Sequence, residues 1–462
     1  MASIVSTSVG HFRGGTTGLT GADAVLKIVY EGAVRDLLNS KTVTNRLLNR
    51  DLAGLTVSGS SVRGSIRTQR NIGNQYIPEG AKIPVAGKQD TTQTQWRTRY
   101  NYGRAQVTGQ FITATGQSRG AFIEGLDYEI NGLAQDMHHE QQRVIFSDGS
   151  GRLAKVSATN NLAASEVLTL ADAGGIVSQA NGTQYIENGM RVCFFDNTAE
   201  GSQGIFSPTD ANYRDADTSG IATFTVSAVD YTAGTVTINN LTNTDIVAND
   251  YMYKATEAGL LAVTPDESAR AQEMFGLAAA ISNVNPPVYG VAAQPEGLQH
   301  FGNIDRSSQP LWRSTVVSNG GVPVPFSQSM FQQAIDTTDI AADGRVRYMI
   351  TTHGIRRQFA SELIDQKRYP AVMDLDGGFK AVTYNGIPII VDKDCTRGRV
   401  YGIDPEVMAI IKEKDWGFVD RDGRVLQRIV DFDAYEVTMC VYQQLVCTAP
   451  NRQFVIQDIQ DA

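Results

Sequence analysis

The chain has 462 residues, 44 of them glycine, with 19% charged residues and a formal charge of -9. That length allows about three domains and a large buried core, and the glycine-rich, modestly charged composition favours β structure and turns. A net acidic chain without a compensating Lys/Arg face is excluded from proteins that hold nucleic acid through its phosphates, although an acidic wall beside nucleic acid stays open. Cys193, Cys395, Cys440 and Cys447 form no CxxC pair and have no histidine at ligand spacing, so they read as buried free thiols. No basic start followed by an apolar run marks a targeting signal, and no stretch approaches the roughly 18 apolar residues of a membrane span. The expectation is a chain that stays off membranes and matures in the cytoplasm.

Residues 1 to 20, rich in Gly, Ser and Thr, read as an arm. From Thr20, Val25, Ile28, Val29, Val34 and Leu37 keep a rough helical stripe, and Thr42 caps a short second helix through Leu48. Val57 to Gln95 carries Gly59, Gly64, Gly73, Gly80 and Gly87 with alternating Val62, Gly64, Ile66 and Thr68. Two extended arms around Pro78-Glu79-Gly80 would reach about 60 Å at roughly 3.3 Å per residue. A two-stranded ribbon is marginal alone, so the segment is either a floppy surface hairpin or an arm that clasps an adjacent subunit.

Trp96 to Thr113 alternates as a strand and feeds a helix from Gln117 to Phe146. Phe122, Ile123, Leu126, Ile130, Leu133, Met137 and Val144 fall on one stripe, with Ser118 as N-cap and Arg143 near the end. Such a rod is about 45 Å long, a beam that carries other elements. After Ser147-Asp148-Gly149-Ser150-Gly151, short β-runs follow: Met190 to Phe195, the hairpin Ile221 to Val229 with Thr235 to Ile238, and Tyr251 to Tyr253. Residues 152 to 262 therefore read as an inserted β-barrel or sandwich. Helix returns at Pro265 to Met274.

Beyond 300 the pattern is α/β. Helices are expected at Phe326 to Asp336 and Gly354 to Asp365, and strands at Val346 to Thr352, Ile387 to Val391, Val400 to Ile403 and Val407 to Ile411. Val425 to Ile456 reads as strands, with Tyr435 to Val446 the most continuous.

Candidate chemistry is thin. His138-His139-Glu140 has adjacent histidines, about 100° apart on a helix, where the metalloprotease pattern needs them four apart. His11, His300 and His353 form no motif. Asp148 to Gly151, Asp374 to Gly377 and Asp420 to Gly423 are Asp/Gly turns without the further oxygens of a calcium loop. The lone glycines at Gly302 and Gly344 make no phosphate cradle. No catalytic, cofactor-binding or metal residue emerges, and no enzyme is expected. Arg63, Arg67 and Arg70 in the extended segment suit either nucleic acid or an acidic neighbouring copy.

The segments Tyr76-Ile77-Pro78-Glu79-Gly80-Ala81-Lys82-Ile83-Pro84, Tyr100 to Thr108, Phe301-Gly302-Asn303-Ile304-Asp305-Arg306-Ser307 with Trp312-Arg313, and Asn385 to Asp392 occur in this order over most of the chain. Together they resemble the major capsid protein of tailed bacteriophages. The resemblance implies an α+β, Hong Kong 97-type fold plus an all-β insertion. It implies an N-terminal arm at 1-55, an extended loop at 56-98, a peripheral domain with a spine helix at 99-151 and the insertion at 152-262. The peripheral domain returns at 263-309, an axial domain occupies 310-420, and C-terminal strands occupy 421-462. The implied function is self-assembly, as pentamers and hexamers, into an icosahedral or prolate shell around double-stranded DNA, without cofactors. Implied partners are a separate scaffolding protein, a portal and a decoration protein, with the genome as a non-specific neighbour. Assembly would take place in the host cytoplasm. A Lys–Asn weld of the kind some members use would draw on Lys82 or Lys88 and on Asn385. Alternatives are an encapsulin-like nanocompartment shell and a β-rich surface-layer or adhesin protein.

Overall fold

The computed structural model describes residues 43–49, 52, 54–71, 73–110, 119–162, 165–176, 181–195, 213–214, 224–239, 246, 248–255, 272–286, 300–342, 345–365, 372–375, 379–419, 425–429 and 432–461. The expected arm at 1 to 20, the helix from Thr20, most of the helix from Pro265 and the turn at Asp420 lie outside them. At the end of that last helix, residues 272–274 are turn and irregular backbone.

A short helix α1 (Val43–Leu48) leads into a three-stranded antiparallel ribbon, β1 (Thr56–Ser58), β2 (Ser61–Gln69) and β3 (Asp90–Arg97). The ladder stops at Gln69 and Asp90, and residues 73–89 carry no strand, so the expected two-armed ribbon is laddered only over its root. β4 (Arg99–Thr108) follows, then the long helix α2 (Arg119–Ile145). α2 crosses β4 at Gly103, where an added Cβ would fall 2.8 Å from Leu133 and closer still to Met137. Glycine there leaves room for the Leu133 and Met137 side chains of α2 to pack on the strand.

The single apolar stripe expected for α2 does not describe its last turn. Gln141, Gln142 and Arg143 are as buried as Val144 and Ile145. Their polar ends are bonded: Gln141 donates to Gln443 at 2.9 Å, and Gln142 donates to Asp392. Arg143 bridges Glu140 and Glu273, and Lys254 lies 3.6 Å from Glu140. Burial works to raise the Glu140 pKa, but Arg143 and Lys254 overcome it and hold it down to about 2. Glu273 is raised, because its desolvation outweighs the same guanidinium. Paired charges of this kind are tolerated in an interior where single ones are not.

Strands β5 (Arg152–Leu162), β6 (Ser165–Ala171), β7 (Arg191–Phe195), β8 (Tyr213–Arg214), β9 (Phe224–Asp230), β10 (Thr235–Asn239) and β11 (Tyr251–Lys254) are all antiparallel. The order runs β11-β5-β6-β10-β9-β7-β8, and β11 also pairs with β7. The ladder therefore closes on itself as a barrel of six strands, with β8 hung on β7. Its interior is a separate core of Leu153, Val156, Leu168, Leu170, Phe194, Phe224, Val236, Ile238 and Met252.

After α3 (Leu277–Ala280), a mixed seven-stranded sheet forms from β12 (Thr315–Val317), β13 (Tyr348–Thr351), β14 (Val372–Leu375), β15 (Phe379–Tyr384), β16 (Ile387–Val391), β17 (Val400–Ile403) and β21 (Phe454–Ile456), ordered β12-β21-β17-β13-β16-β15-β14. Alternation sorts its side chains between two cores. Met349, Ile389, Val400 and Phe454 face α4 (Gln328–Ala342) and α5 (His353–Asp365), with Phe331 and Phe359. Ile350, Ile390, Tyr401 and Val455 face the central core around Trp96, Phe146 and Phe301. Burial on both faces is why these strands read as unbroken apolar runs.

The last sheet joins β18 (Met408–Phe418), β19 (Leu426–Arg428) and β4 around β20 (Ala434–Cys447). β18 thus pairs with the C-terminal strands and not with the α/β sheet, while β21 enters that sheet, so the pairing does not follow the boundary drawn near 420. Replacing Gly103 with Val should lower the stability of the protein by about 1–3 kcal/mol through overpacking. Gly132→Ala, at an open helical position, should raise it by about 0.4–1 kcal/mol. Urea unfolding measures both, and an unchanged midpoint for Gly103→Val would contradict the close crossing.

Candidate functional site

Among the described residues, Tyr76 in the extended loop (56-98) is the most exposed large apolar side chain. Above the β2–β3 ladder the loop narrows to a neck, where Asn71 donates to Gly87 O at 3.1 Å and accepts from Gly73 N at 2.7 Å. A Cβ on Gly73 would lie 2.5 Å from Gly87 N, so the two strands cross here without side chains. At the tip, Ala81 N donates to Pro78 O at 3.2 Å, and Gly80 takes φ 77°, which closes a tight turn. Around that turn Tyr76 is 104% exposed, Ile83 79% and Val85 83%. Covering Ile83 and Val85 would each contribute roughly 1.5–3 kcal/mol. The loop carries Arg63, Arg67, Arg70, Lys82, Lys88 and Arg97 against only Glu79 and Asp90, in a chain whose net charge is -9.

The root of the loop is fixed in the opposite way. Trp96 and Val62 are buried in the central core, and the Trp96 ring meets Phe301 edge-on at 6.0 Å. Phe301 in turn packs on Phe275 and Trp312, and Trp312 Nε1 donates to Phe301 O at 2.9 Å. Gly302 takes φ 68°, and a Cβ there would fall 2.8 Å from the Trp312 ring, so both its backbone and its surroundings call for glycine. Behind these rings Arg306 is 1% exposed. It donates to Val284 O at 2.7 Å, Ala279 O at 2.7 Å, Ala280 O at 2.8 Å and Trp312 O at 3.3 Å. Burial lowers its pKa to about 10, which leaves it charged at neutral pH. A buried guanidinium thus ties residues 279–284 to 312 and holds up the aromatic bed on which the loop stands. The sequence signal was an arginine inside an otherwise apolar and turn-rich segment, and only its fold context gives it this role.

A second junction gathers at the turn after β16. Asp392 accepts from Thr44 N at 3.2 Å, Thr44 Oγ1 at 2.6 Å, Gln142 and Asp394 N at 3.0 Å. Next to it Gln184 donates to Lys393 O and Cys395 O, and Tyr185 donates to Asp394 O at 2.8 Å. One turn therefore joins α1, α2, the barrel and the α/β sheet. His139 lies 3.7 Å from Asp394 and beside Lys393, and the Asp394 contact raises its pKa against burial and the lysine.

The remaining candidate residues have structural surroundings. His138 packs on Trp416 at 4.3 Å, and burial lowers its pKa. Asp148 caps its own turn by accepting from Ser150 N. His353 opens α5. No three His, Cys, Asp or Glu side chains converge as a metal site among the described residues. Cys193, Cys395, Cys440 and Cys447 are free and buried. Arg63 and Arg67 are exposed on β2, and Arg70 is exposed just beyond its end. Asn385, at φ 49°, donates to Gln332 at 2.8 Å, and no hydrogen bond among the described residues joins it to Lys82 or Lys88. No described helix is long and apolar enough to cross a membrane.

No family model matches the sequence, and no curated protein is similar to it. Solved structures are. A chain of the cyanophage A-1(L) capsid asymmetric unit is 12% identical and superposes with a TM-score of 0.50, covering 92% of this chain and 95% of its own. The capsid of a native GTA particle (7% identity, 93% of each chain, TM-score 0.42) and an encapsulin complex from Synechococcus elongatus (10%, 93% of each chain, 0.40) are more distant in shape. The first of these likenesses, spanning nearly the full length of both chains, shows that this chain shares the fold of that cyanophage capsid chain.

Arg306→Met should cost at least about 3 kcal/mol, because four buried carbonyls lose a charged donor, and Arg306→Lys should recover little of it. Equal urea midpoints for the three proteins would contradict the tie. His139, whose folded pKa is raised, contributes stability that is full below its ordinary value of 6.5 and lost as pH rises through the folded value. His139→Gln should flatten that part of the pH–stability curve, and an unaltered slope would remove His139 from the junction.

Proposed function

We propose that this protein is the major capsid (head) protein of a tailed bacteriophage, self-assembling into the icosahedral or prolate shell that encloses double-stranded DNA. One observation carries the reading. A loop rigidly rooted in the core holds an apolar tip wholly in solvent, on a chain with a capsid subunit's fold. Among the described residues the tip's Tyr76, Ile83 and Val85 are left uncovered, and a second copy would bury them. Many repeated weak contacts of this kind, linked by mass action, make assembly and stability one process.

In this reading the architecture is of the Hong Kong 97 type. Residues 1-55 are the N-terminal arm, 56-98 the extended loop, and 99-151 with 263-309 and 421-462 the peripheral domain around the spine helix α2. Residues 310-420 are the axial domain that meets its copies in pentamers and hexamers. The barrel within 152-262 is an inserted domain fastened through the Asp392 turn. A separate scaffolding protein, a portal and a decoration protein complete the head, which assembles in the host cytoplasm. The chain's role is structural and not catalytic.

The root contributes Val62 to the core and braces Trp96, so removing all of 56–95 would damage the subunit as well as the contact. The clean test replaces only residues 74–86 with a short Gly/Ser link. The shortened subunit is expected to keep the native urea midpoint and to form no closed shells by negative-stain microscopy. Abundant shells from it would refute the clasping role, and native shells filled with an enzyme and no DNA would redirect the assignment to a nanocompartment.

A further inference from the structure

We infer that Arg97 and Arg99, with Arg63 beside them, form a binding site for a phosphate group where the extended loop joins the body. The site goes beyond the shell reading and does not depend on it. Alternation along β2 and β3 turns Val62 and Trp96 into the core and leaves Arg63 and Arg97 together on the opposite face of the ribbon. Arg97 stands opposite Ser61 in the β2–β3 ladder. Arg63, two positions further along β2, is its diagonal neighbour at about 7–8 Å. At Thr98 the chain passes from the ribbon into β4, and Arg99 opens that strand opposite Gln443 of β20.

Arg99 differs from the buried Arg306 in having nothing to bond. It is half-buried, and its Nε lies out of water without a hydrogen-bond partner among the described residues. Gln443, across the ladder, spends its Oε1 on Gln141 at 2.9 Å. No ion pair among the described residues reaches Arg63, Arg97 or Arg99, and the acid carried by these strands, Asp90, stands at the other end of β3. Burial, and then the Arg97 charge, hold the Arg99 pKa down to about 10 against a smaller opposing effect of Tyr100, so Arg99 stays charged at neutral pH. A cation withdrawn from water beside a second cation is costly until an anion sits between them. Phosphate suits the place better than a lone carboxylate. It brings more negative charge and more acceptor oxygens, and guanidinium forks bind it through paired N–H bonds. Free inorganic phosphate and the phosphodiester of duplex DNA present this same group.

The test uses the full chain. At equal ionic strength, inorganic phosphate in place of chloride is expected to raise the native urea midpoint. Calorimetric titration with inorganic phosphate is expected to show binding that Arg99→Met and Arg97→Gln each weaken by about tenfold or more. Arg428→Gln, at the other end of β20, is expected to bind as the native chain does. In chloride alone, Arg99→Met is expected to unfold at or above the native midpoint, because it removes an unbonded charge, whereas Arg306→Met unfolds earlier. A short DNA duplex that displaces the inorganic phosphate assigns the site to nucleic-acid phosphates, and a duplex without effect assigns it to the free ion. No phosphate-dependent shift in the native chain would overturn the site. So would native affinity in Arg97→Gln and Arg99→Met, or a midpoint for Arg99→Met below the native one in chloride.

Discussion

The burial of one guanidinium organises this subunit. Arg306 lies with its charge in the interior because four carbonyls, from Ala279, Ala280, Val284 and Trp312, converge on it. An ion in that place is costly unless it is fully bonded, and once bonded it is hard to displace. The segments it ties together hold Phe301 and Trp312 in position, and those rings receive Trp96. The direction in which the extended loop leaves the body is therefore set by a polar tie beneath an aromatic bed, not by the ribbon, which would be marginal alone. Rigidity at the root gives an exposed tip value as an anchor, since less freedom is lost when it binds.

The Asp392 turn plays the matching part on the other side of the molecule. It collects α1, the end of α2, the barrel and the α/β sheet within a few residues. Such a junction lets elements far apart in sequence behave as one body. The buried Gln141, Gln142 and Arg143 belong to the same logic: the helix end is a connector, and its buried amides and guanidinium are paired with Gln443, Asp392, Glu140 and Glu273.

Local pattern in the sequence made much of this architecture legible. The end of the long helix was placed within one residue, because its period and the Gly-rich break after Phe146 are local signals, while the expected start at Gln117 lies outside the described residues. The hairpin at 224–239 and the Asn385-Gly386 turn were readable for the same reason. What was not legible depends on partners distant in the chain. Nothing in Met408–Phe418 says that it pairs with Ala434–Cys447 and not with the neighbouring α/β strands. Nothing in Tyr251–Lys254 announces that it closes a barrel against both β5 and β7. The polar end of α2 broke the apolar stripe because its partners, Gln443 and Asp392, lie some 250 to 300 residues away. The candidate site was half visible. The exposed tip followed from composition, whereas the neck at Gly73 and Gly87 and the Arg306 tie exist only once the chain is folded.

In the proposed shell, the closed barrel has a further consequence. Strands that end in unsatisfied amide and carbonyl rows invite pairing with any similar row nearby, and a lattice of identical subunits supplies such rows at close range. By pairing β11 with both β5 and β7, the barrel consumes its own outermost hydrogen-bonding positions. A bulky β unit can then ride on every subunit without gluing one copy to the next, and association is left to the surfaces shaped for it.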